Sequence, residues 1–278
     1  MPDPSSRNLA GRVLLITRPL PEAHDTALLA QRHGAQTILQ PLLEAQPPDD
    51  PEPFLQAMAH LSHYDGIVFT SIQAVRTFLQ FPTPHPKSPK IYAVGHKTAA
   101  LLAQGGYHPI VPAHPMGGQE LALEILHSSQ PNDRLLFPQV QEGREELTTI
   151  LHQHARHIDR VVCYRMAPVR QLEPATVELL QERRIDAIPF FSGRTAKIFL
   201  SLLPQDDPFA MLEKPMLAAL STTTAEVMRS LGMRVDLISH QPDAETMIAT
   251  LAQALQSVTI APSGVIKSLP LEKSLLTQ

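Results

Sequence analysis

Asp65-Gly-Ile-Val-Phe-Thr-Ser71 returns 121 residues later as Asp186-Ala-Ile-Pro-Phe-Phe-Ser192. Each copy is a short apolar run that ends in a serine, the pattern of a buried strand running into a helix cap. Working outward, Phe78 returns as Phe199 at the same offset. Ala93-Val-Gly-His-Lys-Thr-Ala99 returns as Ala219-Leu-Ser-Thr-Thr-Thr-Ala225, and Gly106 as Gly232, both at offset 126. Gly11-Arg-Val-Leu-Leu15 aligns with Asp133-Arg-Leu-Leu-Phe137 at offset 122, and the run before Pro41 with the run before Tyr164 at offset 123. Ordered matches at a nearly constant offset indicate an internal duplication: two α/β units of similar plan.

Strand-like runs alternate with helical stretches around these segments. Arg12–Thr17, Asp65–Thr70, Lys90–Val94 and His108–Val111 read as strands; 21–33, 71–79, 97–104 and 118–127 read as helices. This alternation predicts parallel sheets covered by helices. Two proline-rich stretches, 47–53 and 81–89, read as loops, and residues 257–278 lie outside the repeat as a loose extension. Pro189 inside a strand predicts an edge or a bulge. If Asp159–Tyr164 is a strand, Cys163 points to the face opposite Tyr164.

Composition narrows the function. The chain has 278 residues, 43% of them hydrophobic, with 23 basic against 27 acidic side chains, so it is globular and carries no basic block for nucleic acid. One cysteine excludes an intrachain disulfide framework and a cysteine zinc cage. With 12 glycines and neither GxGxxG nor GxxxxGK[ST], dinucleotide and P-loop sites are excluded. No apolar run reaches a membrane span, and the first ten residues carry no basic-then-apolar leader, so a cytoplasmic protein is expected; a monomer is the expected state, on no motif of its own. His154 and His157, read as neighbours on one helix, form a solvated face; no metal is expected.

The chemistry-bearing residues cluster where strands end. Thr17-Arg18-Pro19, Thr70-Ser71, Gly95 with Thr98, Ser192-Gly193 and Thr223-Thr224 all fall at strand ends or helix starts. In open parallel sheets ligands bind there, and each helix N-terminus offers free N–H groups and partial positive charge. Any one of these hydroxyls is sufficiently explained as an N-cap. Matched caps in two similar domains, facing one cleft, make a seat for a polyanion. Tyr164, at the end of Asp159-Arg-Val-Val-Cys-Tyr164, is either a packing aromatic or a phenol that gives a proton or a hydrogen bond.

The segments Leu15-Ile-Thr-Arg-Pro19, Asp65–Ser71 with Ala74-Val75, Ala93-Val-Gly95 with Thr98-Ala99, Leu135-Leu-Phe-Pro138 with Gly143-Arg144 and Leu147, Val161-Val-Cys-Tyr164, Phe190-Phe-Ser192, and Thr223-Thr-Ala225 with Gly232 together resemble the uroporphyrinogen-III synthase family. The resemblance spans about Gly11 to Leu255. It implies two similar parallel-sheet, flavodoxin-like domains: 1–37 with 166–257, and 42–160, joined by connector strands 38–41 and 161–165. It implies cyclisation of hydroxymethylbilane with loss of water and inversion of ring D through a spiro intermediate, a hydro-lyase of tetrapyrrole synthesis without cofactor. The deaminase that precedes it would hand over the substrate. Tyr164 becomes the candidate general acid; Thr17, Arg18, Pro19, Thr70, Ser71, Gly95, Thr98, Ser192, Gly193, Thr223 and Thr224 become substrate contacts. Ser221, Gln73 and Pro189 depart from the family pattern. The alternative is a non-catalytic anion-binding or tetrapyrrole-sensing protein of the same fold.

Overall fold

The computed structural model describes residues 8–81, 89–115, 117–143, 145–204 and 206–257; the loop expected at 81–89 and the tail after Ser257 fall largely outside them. The chain divides into two compact units, one containing the chain up to Glu44 and again from Pro168, the other Ala45–Ala167. Each is α/β and built mainly of strands paired in parallel. No helix among the described residues is long and apolar enough to cross a membrane.

The first unit begins with β1 (Val13–Ile16), α1 (Glu22–Arg32) and β2 (Gln36–Leu39). After β3 (Leu43–Gln46), the second unit runs α2 (Glu52–Ala59), β4 (Gly66–Phe69), α3 (Ile72–Phe78), β5 (Lys90–Ala93), α4 (His96–Gln104), β6 (Pro109–Ile110), α5 (Gly118–Ser128), β7 (Arg134–Val140), α6 (Glu146–Gln153) and β8 (His157–Pro168). The first unit resumes with α7 (Pro174–Gln181), β9 (Ala187–Phe190), α8 (Gly193–Leu202), β10 (Met216–Ala219), α9 (Thr222–Ser230), β11 (Leu237–Ile238) and α10 (Ala244–Ser257).

The strand orders are β11-β10-β9-β1-β2 and β6-β5-β4-β7-β8-β3. The two share one plan once the first is read as a circular permutation: β9, β10, β11, β1 and β2 take the places of β4, β5, β6, β7 and β8. The repeated sequence segments fall on these corresponding strands. Register sharpens the alignment. Val13 pairs with Gln36 and Arg134 with His157, so β1 and β2 match β7 and β8 at offset 121, the offset of the first repeat. Val13 therefore takes the place of Arg134, and Pro41 that of Val162, one and two positions from the sequence alignment. The same aspartates confirm the register: Asp65 Oδ2 accepts from Arg134 N at 3.0 Å and Asp186 Oδ2 from Val13 N at 2.8 Å.

Each unit buries the same aromatic pair. Phe69 and Phe78 lie 5.1 Å apart by ring centroids, Phe190 and Phe199 5.6 Å, all four fully buried. At ~1.5–3 kcal/mol for each buried large side chain, plus ~0.5–1.5 for the pairing, these anchor strand to following helix in both units. In the second unit, α2, α3 and α4 cover one face of the sheet and α5 and α6 the other.

Three expectations are corrected. Pro189 lies in β9, the central strand, not an edge. Phe190 O accepts from Leu220 N toward β10, so the neighbouring Pro189 nitrogen faces β1, where the ladder has already ended at Leu14 opposite Ala187. The missing donor costs no hydrogen bond there. His154 and His157 do not share a helix: α6 ends at Gln153, Ala155 turns the chain with φ 53°, and His157 starts β8. Cys163 and Tyr164 do not face opposite ways. Gln139 pairs with Val162 and Val140 with Tyr164, leaving Cys163 as the extra residue of a bulge. The bulge breaks the alternation and buries both side chains in the same core cluster.

Asp186 is a buried carboxylate that meets Arg12 at 3.5 Å and Lys214 at 3.2 Å while accepting from Val13 N. Replacing it (Asp186→Ala) removes the counter-charge of the buried Arg12. Urea unfolding is expected to register a loss of about 3–5 kcal/mol; a loss below about 1 kcal/mol would show the cluster to be dispensable.

Candidate functional site

The chain runs from β4 outward through β5 and β6, then returns to β7 on the other flank of β4. This reversal is a topological switch point. The β4–β7 ladder consists of Gly66 opposite Leu135 and Ile67 opposite Leu136, and stops there. Beyond it α3 departs to one face of the sheet and α6 to the other, so among the described residues no backbone fills the space above the strand ends. The result is a cleft of about 330 Å³. Val94, Phe137, Val140 and Leu147 give it apolar walls; Thr70, Ser71, Gln139 and Tyr164 supply its polar groups. Gly117 and Gly118 bring the start of α5 to its rim, with the exposed carboxylate Glu146 beside them.

Ser71 is the N-cap of α3, because its extended backbone (φ −145°, ψ 147°) turns the side chain back onto the first turn. Its Oγ accepts from Ala74 N at 3.1 Å and from the Tyr164 hydroxyl at 3.2 Å. Tyr164, only 7% exposed, reaches Ser71 because the Cys163 bulge re-aims it. Cys163 itself is sealed in the core. Its thiol rests on the Gln139 carbonyl at 3.5 Å, and burial pushes it up to about 12.

The structure brings together Thr70, Ser71 and Tyr164 in this cleft. It does not bring Gly95 or Thr98 to it: Gly95 is the N-cap of α4, Thr98 is buried in that helix, and Val94 lines the cleft instead. The glycine at 95 is not demanded by backbone, since its φ of −170° is extended and a Cβ there would meet only Pro115 at 3.9 Å. Ser221, at the matching place, uses its side chain to cap α9, accepting from Thr224 N at 3.3 Å. The serine departure thus adds a cap without strain.

In the first unit the equivalent switch point lies between β1 and β9. Thr17 follows β1, 1% exposed, and its Oγ1 has no hydrogen-bond partner among the described residues. Arg18 lies over the Phe191 ring at 4.2 Å and donates to Thr26 Oγ1 at 3.1 Å. Burial lowers its pKa against the opposing pull of Glu22 and Asp25. Pro19 is half-buried, and its carbonyl accepts from Ala23 N. Ser192 caps α8 by accepting from Thr195 N at 3.2 Å. Thr223 is exposed and Thr224 buried. Gly193 has a packing reason to be glycine: a Cβ would stand 2.7 Å from Val227 of α9.

Sequence reasoning missed Gln139, Phe137, Val140 and the Gly117-Gly118 pair as lining residues. Only the strand order places them at the switch point, and Gln139 lies beyond the 133–137 segment that the repeat aligns.

Two α/β units built on parallel strands, one with a hydroxyl-lined cleft at its strand ends, place the chain in the class of two-unit open-sheet α/β proteins. Its particular family follows from comparison. The family model described as uroporphyrinogen-III synthase HemD matches residues 24–249. The uroporphyrinogen-III synthase of Synechococcus elongatus is 27% identical over 265 residues, covering 90% of this chain and 98% of that protein. That of Chlorobaculum parvum is 23% identical over 266 residues, covering 88% and 100%. The crystal structure of the Helicobacter pylori uroporphyrinogen-III synthetase aligns with a TM-score of 0.52 at 20% identity, over 88% of this chain and 99% of that one. The chain belongs to the uroporphyrinogen-III synthase family.

Two measurements check the packing at this level. Gly193→Ala is expected to cost about 1–3 kcal/mol by overpacking, with Val227→Ala in the same chain restoring part of it; a neutral single variant would return Gly193 to a ligand seat. Cys163 in the native protein is expected to resist iodoacetamide at pH 8 for hours and to react at once in denaturant. Rapid native labelling would contradict the sealed bulge.

Proposed function

We propose that the chain is a uroporphyrinogen-III synthase, converting hydroxymethylbilane to uroporphyrinogen III. The observation that carries this reading is the Tyr164 hydroxyl on Ser71 Oγ in the switch-point cleft of a chain that matches the family over 24–249. The hydroxymethyl oxygen takes up a proton and leaves as water, its carbon becoming an electrophilic azafulvene. The substituted carbon of ring D attacks it to give a spiro intermediate, which fragments and recloses with ring D inverted. Such a substrate is reactive by itself, so the main task is to hold one conformation and exclude the direct closure.

The residues suit that task. The cleft, at the low end of the ~300–1,000 Å³ range of small-molecule sites, accommodates one end of a tetrapyrrole. Tyr164 gives a proton or a hydrogen bond to the departing hydroxyl. The hydroxyls of Thr70 and Ser71, and the helix starts behind them, meet substrate carboxylates. Thr17, whose buried hydroxyl has no hydrogen-bond partner among the described residues, and the Ser192 cap supply the corresponding seats at the strand ends of the first unit. In this reading Gly95 and Thr98 shape the α4 start beside the cleft, Thr223 and Thr224 do the same at α9, and Arg18 and Pro19 hold the Thr17 turn. The protein acts as a cytoplasmic monomer and takes its substrate from the deaminase that forms it.

The test is the isomer produced. Fresh hydroxymethylbilane at neutral pH is expected to give predominantly the type III porphyrin after oxidation, dependent on protein; only type I, as without protein, would sink the proposal. Tyr164→Phe is expected to lower turnover about ten-fold or more with the fold intact. Near-wild-type turnover would reduce Tyr164 to a packing residue.

A further inference from the structure

Gln139 is the polar group of the cleft that no motif explains. It is 5% exposed, it lines the cleft, and it sits on β7 at the switch point. Its carboxamide is fixed from two sides. Arg160 brings Nε to 2.8 Å and Nη2 to 2.9 Å from one end of it, and because a guanidinium only donates, that end is assigned as the oxygen. Arg160 is held in turn by Glu145, Nη1 to Oε1 at 2.8 Å. On the other edge lies Gly143, where a Cβ would collide with the carboxamide. Glycine at 143 is therefore what leaves room for the amide.

This arrangement sets which end of the amide meets a ligand. Arg has donors only, so it can bind only the oxygen and fixes the carboxamide against rotation. The –NH2 edge, polarised by the guanidinium, is left on the Gly143 side, and Gly143 also lines the cleft. An oriented neutral donor of this kind accepts a carboxylate without adding net positive charge to an acidic protein.

We propose that Gln139 binds a carboxylate of the acidic substrate in this cleft, and that Arg160 is a positioning residue that keeps its –NH2 edge forward. The inference rests on the synthase reading and names one specificity contact within it. Glu145 tethers Arg160 and does not touch the ligand.

The experiment is steady-state formation of the type III isomer by the full chain, with melting temperature recorded for every variant. Gln139→Glu keeps the size and the Arg160 partner but replaces donors by a negative charge. It is expected to raise KM about ten-fold or more, with kcat within about three-fold and an unchanged melting temperature. Arg160→Met is expected to raise KM by about three-fold and to add little to Gln139→Glu in the double variant, because both act on one contact. A Gln139→Glu enzyme with KM within two-fold of wild type overturns the assignment. So does a KM that rises only in step with a falling melting temperature, which would make Gln139 structural. If Arg160→Met and Gln139→Glu multiply fully, Arg160 does not act through Gln139. A wild-type protein that yields only type I removes the synthase reading and this contact with it; type III from wild type with an unaffected Gln139→Glu removes the contact alone.

Discussion

One oxygen ties the cleft together. Ser71 Oγ accepts from Ala74 N and from the Tyr164 hydroxyl, joining the end of β4, the first turn of α3 and the bulged strand β8 at one point. A cap bond contributes about 1 kcal/mol to the helix. The second bond adds position: it fixes where a phenol stands relative to the strand ends. Because both of these bonds arrive at the serine oxygen, its own O–H proton is spent in neither, which leaves a donor for a bound acid.

That point exists because two parallel strands stop pairing. The β4–β7 ladder closes after two register pairs, and its counterpart β9–β1 after one, with Pro189 following on the side where the ladder is gone. Each unit thus opens at the same place in the same plan, although the chain enters the first sheet at β1, the counterpart of β7, and leaves it before returning at β9. The second unit lines its opening with Ser71, Tyr164 and Gln139. The first offers the Thr17 hydroxyl, without a hydrogen-bond partner among the described residues, and the Ser192 cap. The two sheets keep one architecture and differ in the groups they place at its mouth.

Much of this was legible in the residues. The Asp65–Ser71 and Asp186–Ser192 repeat carries strand, cap and aromatic anchor together, and period and spacing are enough to read α/β units from it. Ser71 and Ser192 as caps follow from their position before an apolar helix. Tyr164 was visible as the end of a strand, but its direction was not, since a bulge depends on the partner strand and strict alternation turns Cys163 to the wrong face. Gln139 carries no local signal at all. It becomes meaningful only through Arg160, 21 residues on, and Gly143, which the fold brings to its two edges. Gly193 errs the other way: a glycine at a helix start suggests an anion seat, while its neighbour Val227 shows a packing reason that spacing cannot reveal.

The account's central claim is that the acidic tetrapyrrole sits at the strand ends around Ser71. A crystal structure of the full chain with uroporphyrinogen III bound tests it most directly. The account predicts one end of the ligand in the cleft beside Tyr164, with carboxylates on Ser71 and on the amide edge of Gln139. A ligand whose rings and acids lie away from the β4 and β7 ends would contradict it.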